Sequence, residues 1–147
     1  MNRDSHNDVI RKAAISYYGS VKNEINYNKL IELTSYGGTT WDARPEAVNQ
    51  IAKYAIDKPE TIEMFIELFN DNTRSVRRNA VRQIGRYGAK KHLDALDELL
   101  VRDPILEREI RNAKKSILKP SQGSENDQEK EINELTRKLD NIRKILN

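Results

Sequence analysis

The chain has 147 residues, 6 Gly, 4 Pro and no Cys, with 37% apolar and 33% charged side chains. Without cysteine, disulfide frameworks, Cys-ligated zinc, iron–sulfur clusters and thiol chemistry are excluded together, and an apolar share below the roughly 45–50% of ordinary globular chains argues for a thin or elongated fold. The 26 basic and 23 acidic side chains leave a net charge of +3, near balance, so the placement of charge says more than its sum.

The first twenty residues carry Asp4, Asp8, Arg11 and Lys12 where a secretion signal needs an unbroken apolar segment. No stretch approaches the ~18 consecutive apolar residues of a membrane span. A cytoplasmic chain without a membrane partner is expected.

From Arg11 onward, four segments superpose at a constant offset of 33 positions. Ala14, Ala47, Ala80 and Ala113 fall in register, and a bulky residue follows four later at Tyr18, Ile51, Ile84 and Ile117. Positions i and i+4 share one helix face, so each unit sets a small side chain beside a large one, and a neighbouring helix can approach closely over the alanine. Arg11, Arg44 and Arg77 share another slot, which Ile110 takes in the fourth copy. Arg44 and Arg77 are expected to reach carbonyls across a turn, or an acid such as Asp42 or Asp71.

Second helices lie between the first ones. Tyr27, Leu30, Ile31 and Leu33 stripe one; Ile62, Phe65, Ile66 and Phe69 the next; Leu93, Leu96, Leu99 and Leu100 the third, all at i, i+3, i+4 spacing. Pro59 and Pro104 suit first-turn positions, Asp103 suits an N-cap and Gly88 suits a helix end. No window shows the period-two alternation of strands. The unit is helix, turn, helix, and the fold class is all α: a right-handed α-solenoid of helical hairpins over residues 5–118. Trp41 is expected to pack on its loop, and the tyrosines at 17, 18, 54 and 87 to bury their rings and keep their hydroxyls wet.

Residues 119–126 read as a linker and 127–147 as a C-terminal amphipathic or coiled-coil helix that Ser124 caps. Ile132, Leu135, Leu139, Ile142 and Leu146 step by 3, 4, 3 and 4 along it, a heptad seam. A parallel homodimer in that register sets Lys138 against Arg143, like charges, so docking on the solenoid or pairing with a different chain is favoured over parallel self-association.

The stretch from Asp71 through Val76, Arg77, Ala80, Val81 and Ile84 to Gly85 and Gly88 resembles a HEAT-type repeat: an acidic turn, Val-Arg, alanine, a bulky residue and glycine. Tetratricopeptide and ankyrin units have similar periods but bring motifs this chain lacks. Together with the Tyr36-Gly-Gly loop before Trp41-Asp-Ala-Arg44 and the charged heptad tail, the repeats are similar to the C-terminal helical region of zinc aminopeptidases of the aminopeptidase N family. The His-Glu-x-x-His zinc helix and Gly-x-Met-Glu-Asn substrate loop of that family's catalytic domain do not occur in this sequence. The resemblance implies a non-catalytic end of such an enzyme, or a stand-alone relative of it, whose partner is a protein or a catalytic domain in the same assembly.

An inventory of chemistry agrees with a non-enzyme. His6 and His92 are 86 positions apart, lack metal-ligand spacing and read as solvated. Glu60, Glu63 and Glu67 read as an exposed acidic face, and Gly37-Gly38 lacks the Lys-Ser/Thr of a phosphate loop. No cofactor or metal is expected. The basic run Arg74, Arg77, Arg78, Arg82, Arg86, Lys90 and Lys91 holds the candidate binding surface, Arg74, Arg78, Arg82, Arg86, Lys90 and Lys91, of which the arginines recur every four residues. Tracking phosphates, it would make the chain a nucleic-acid binder; the competing reading pairs it with the acids at 57–71. The heptad residues are the candidate helix-pairing surface.

Overall fold

The computed structural model describes residues 3–119 and 122–146, with side chains described over 7–119 and 132–145. Contacts divide the chain into two units, Met1–Ile117 and Leu118–Asn147. The first unit contains α1 (Arg3–Ser20), α2 (Glu24–Thr34), α3 (Arg44–Ile51), α4 (Glu60–Glu67), α5 (Arg74–Tyr87), α6 (Leu93–Arg102) and α7 (Glu107–Leu118), with no strand among the described residues. Single 3-10 turns extend α3 and α4 and lead into α6 and α7. α1 packs on α2, α3 packs on α1, α2 and α5, and α4 packs on α5, so the helices stack from one repeat to the next. This is the expected all-α solenoid.

Local chemistry sets the boundaries. Asn23, extended, caps α2 by accepting the Asn26 N–H at 2.8 Å, and Pro45 occupies the first turn of α3. The Gly88 N–H closes α5 on the Ile84 carbonyl at 2.8 Å, and a Cβ there would stand 2.4 Å from that oxygen. Close approach, not a left-handed backbone, requires this glycine.

The apolar spine runs through the units. Ala47, Ala80, Ile51 and Ile84 are fully enclosed, Ala113 nearly so, and Leu30, Phe65, Leu96, Leu99 and Leu106 pack around them. Burying each of the larger side chains contributes about 1.5–3 kcal/mol. Where α5 meets α7, a Cβ on Gly85 would come within 2.8 Å of the Ala113 Cα, so the two backbones nearly touch. The alanine ridge of α7 thus faces the unit before it.

Ala14 departs from the ridge and is exposed. α1 turns Ile15 and Gly19 inward instead, with Gly19 against Gln50 of α3.

Four further expectations are corrected. Trp41 is 74% exposed, because the turn closes through the Ala43 and Arg44 N–H groups on the Thr40 carbonyl and Ala43 and Arg44 take the interior places. His92 is buried, and its Nδ1 accepts the Ala89 N–H at 2.8 Å, which ties down the turn entering α6. Asp103 makes no side-chain cap, since its carboxylate is taken by Arg77. Tyr54 keeps its hydroxyl inside, on the Tyr18 carbonyl at 3.0 Å, whereas Tyr17 is exposed. The side chain of His6 lies outside the described residues.

The second unit holds α8 (Gln122–Leu146). It starts five residues before the expected 127, so Ser124 falls inside the helix rather than capping it. Lys119 precedes Pro120, which disfavours helix at 119, and the Glu, Gln and Lys that follow are strong helix formers. Ile132, Leu135, Leu139 and Ile142 lie along α8 between 53% and 62% exposed; the Leu146 side chain lies outside the described residues.

Candidate binding surface

The arginines of the solenoid divide into an inner ladder and an outer row. On the ladder, Arg44 is 2% exposed. Its Nε and Nη2 donate to the Thr34 carbonyl at 3.1 and 2.8 Å, and Nη1 donates to Asp71 Oδ1 at 3.2 Å and Thr73 Oγ1 at 3.3 Å, while Nη2 also reaches Asp71 Oδ2. One repeat later Arg77 donates through Nε and Nη2 to Asp103 Oδ2 at 3.1 and 2.7 Å, and through Nη1 to the Asp71 carbonyl at 2.6 Å. Each arginine therefore joins the start of its own helix to the turn entering the next unit's first helix. Both halves of the expectation hold, carbonyl and acid, but Asp42 pairs with Lys12 at 3.2 Å instead.

Burial pushes the Asp71 carboxyl up. The Arg44 guanidinium and the Thr73 N–H, 2.8 Å from Oδ1, outweigh that penalty and hold it below the ordinary aspartate range.

On the outer row, Arg74 stands 3.8 Å from Asp103, and Arg78 and Arg82 stand 3.5 and 3.9 Å from Glu109 of α7. Arg108 is 3.5 Å from the same carboxylate. Burial pushes Glu109 up, and its own backbone N–H with Arg108 and Arg78 brings it below the usual value. Lys91 pairs with Glu63 at 3.0 Å and lowers that carboxyl in turn. The charge complement of the row thus comes mainly from Asp103 and Glu109; of the acids at 57–71, only the Glu63 carboxylate reaches it among the described residues. Arg86 and Lys90 have no ion pair among the described residues.

A groove of about 450 Å³ runs between α5 and α7, lined by Arg82, Gly85, Arg86, Arg108, Glu109, Asn112, Ala113 and Ser116. The row also continues beyond the predicted run. Arg111 and Lys115 of α7 sit 33 positions after Arg78 and Arg82, both exposed, with Arg111 paired to Glu107. That repetition was readable in the sequence by extending the offset from the apolar ridge to the charged face. A second feature had no such signal: Tyr36, 81% exposed, and Trp41 flank a hollow of about 230 Å³ whose wall includes Arg44 and Thr73. The Arg44 guanidinium lies 5.7 Å from the Tyr36 ring centre.

Among the described residues no three His, Asp or Glu side chains gather as a metal-binding group, and no helix is long and apolar enough to cross a membrane. The sequence profile of the family described as HEAT repeats matches residues 27–114, more than half of the chain. No curated protein matches the chain, and no solved structure does.

Proposed function

The chain belongs to the HEAT-repeat family, and from that premise we propose that it acts as a non-catalytic binding or scaffold module that presents a solenoid surface to a protein partner. The observation that carries this is the division of labour among its polar side chains. Arg44, Arg77, Asp71, Asp103 and His92 are spent on joining repeats and closing turns, which stiffens a surface without assembling an acid, a base or a nucleophile in one place. Stacked repeats of this kind offer extended surfaces for recognition.

The finer reading makes the chain a C-terminal segment, or a stand-alone relative, of the helical domain of an aminopeptidase N family metallopeptidase. Tyr36 and Trp41, which belong to the loop that carries the likeness, are turned to solvent, as contacts to a neighbouring catalytic domain must be. Affinity purification of the tagged chain from its native cells, followed by an aminoacyl-arylamide assay, tests it. Hydrolysis that a zinc chelator abolishes, present in the eluate and absent from the chain alone, is expected. An inert eluate refutes the aminopeptidase link.

A second reading, electrostatic binding of nucleic acid, rests on Arg86 and Lys90, with the exposed Lys115 of α7. Against it, Asp103 and Glu109 sit within the row and pair with the arginines of its first half. A low-salt titration with DNA and RNA decides. Affinity that falls steeply with salt and is lost in Arg86→Glu/Lys90→Glu establishes nucleic-acid binding; a flat titration removes it. Arg86 and Lys90 are the positions to reverse, because Arg78 and Arg82 lie 3.5 and 3.9 Å from the Glu109 carboxylate.

A further inference from the structure

Four of the five seam residues of α8 form a palindrome about position 137, with Leu146 outside it. Reading outward, Leu135 matches Leu139 and Ile132 matches Ile142. Four apolar side chains at spacings of 3, 4 and 3 form one face of the helix, and all four are more than half exposed. A solvent-facing stripe of this kind is a surface that lacks its cover.

The charge of the helix is polar along its length. Residues 122–134 contain Glu125, Asp127, Glu129, Glu131 and Glu134 against Lys130, and residues 135–146 contain Arg137, Lys138, Arg143 and Lys144 against Asp140. Acids in the first half and bases in the second also suit the helix macrodipole, and two such helices laid head to tail attract through both charge and dipole.

We propose that α8 pairs with α8 of a second copy of this chain in antiparallel register centred on position 137. In that register the inner core layers join like to like: Ile132 meets Ile142 of the second copy and Leu135 meets its Leu139, while Leu146 falls outside them, opposite Gln128. The acidic half of each helix lies along the basic half of the other. Parallel pairing also joins like to like in the core, but it stacks acidic half on acidic half and sets Lys138 beside Arg143 of the second copy, so charge is what selects the antiparallel pair. The antiparallel register brings the two Lys138 side chains near one another at the dyad, but each Nζ already lies 3.0 Å from Glu134 of its own helix, so the contact is between two neutralised pairs. The interface is isologous and closes at two chains.

The test uses the full chain, whose lack of cysteine makes any introduced thiol the sole one. Sedimentation equilibrium is expected to give twice the 17.0 kDa chain mass at high concentration, and Leu139→Asp is expected to return the chain to monomer with its helical circular dichroism retained. Orientation follows from Leu135→Cys and Leu139→Cys, one of them carrying a mass tag. Under mild oxidation each alone is expected to stay uncross-linked, and the mixture to give the mixed disulfide, because position 135 faces 139 and not itself. Efficient self-cross-linking of each variant shows a parallel pair and overturns the proposal. So does a chain that stays monomeric at every concentration, or a dimer that Leu139→Asp leaves intact.

Discussion

Arg44 and Asp71 are the most enclosed ion pair among the described residues, and neither can be removed without orphaning the other. Deleting the guanidinium strands a buried carboxylate and leaves the Thr34 carbonyl without two donors, so Arg44→Ala is expected to destabilise the chain by about 3–5 kcal/mol. Replacing both partners with apolar residues of similar volume, Arg44→Met with Asp71→Leu, should recover much of that loss. Chemical denaturation of Arg44→Met, Asp71→Leu and the double variant closes the cycle. The same pair fixes a pH dependence. Since the folded-state pKa of Asp71 is depressed, its contribution is fully present above the unfolded value of about 3.9 and is lost as pH falls through the folded value. The gap in stability between the native chain and Asp71→Asn should therefore be constant around neutrality and narrow in acid. A gap that widens in acid would show that the carboxyl is raised.

At the scale of helices, closeness of approach is the controlling quantity. Gly85 lets α5 rest on Ala113, and Gly85→Ala puts a methyl group into backbone that has no flexible end to move aside, a cost of about 1–3 kcal/mol. The alanine ridge gives a sharper comparison, because four positions equivalent in sequence are unequal in structure. Ala47→Leu overfills a closed site and should lose a similar 1–3 kcal/mol, whereas Ala14→Leu points to solvent and should stay within about 0.5 kcal/mol of the native chain. Parallel thermal melts of the two variants check this. Equal penalties would mean that something covers α1 in solution. Capping contributes at this scale as well: His92 closes the turn into α6 with a ring nitrogen, a role normally filled by a side-chain oxygen.

Across the whole repeat unit, what the sequence made legible was whatever recurs. The 33-residue offset located the ridge at Ala47, Ala80 and Ala113, and the shared slot of Arg44 and Arg77 located the ladder, because stacked units impose the same contact on each copy. What it did not make legible depends on neighbours that do not recur: the exposure of Ala14, where α1 turns Ile15 and Gly19 inward instead; the burial of His92; and the outward turn of Trp41, set by Ala43 and Arg44 filling the interior first. The acids that pair with the basic row were misplaced for a related reason, since Asp103 and Glu109 are distant from it in sequence and adjacent only once α7 stacks on α5. The same dependence on neighbours governs stability. In a stack, stability is a sum of unit and nearest-neighbour terms, so damage at one junction should stay there. Arg77 joins α5 to the turn before α7 and touches nothing in α1 or α2. Arg77→Ala is thus expected to speed amide exchange from α5 through α7 and to leave α1 and α2 unchanged, read peptide by peptide by mass spectrometry. If exchange instead rises equally everywhere, the repeats open as one block, and the ladder serves the cohesion of the entire stack rather than of the junction it spans.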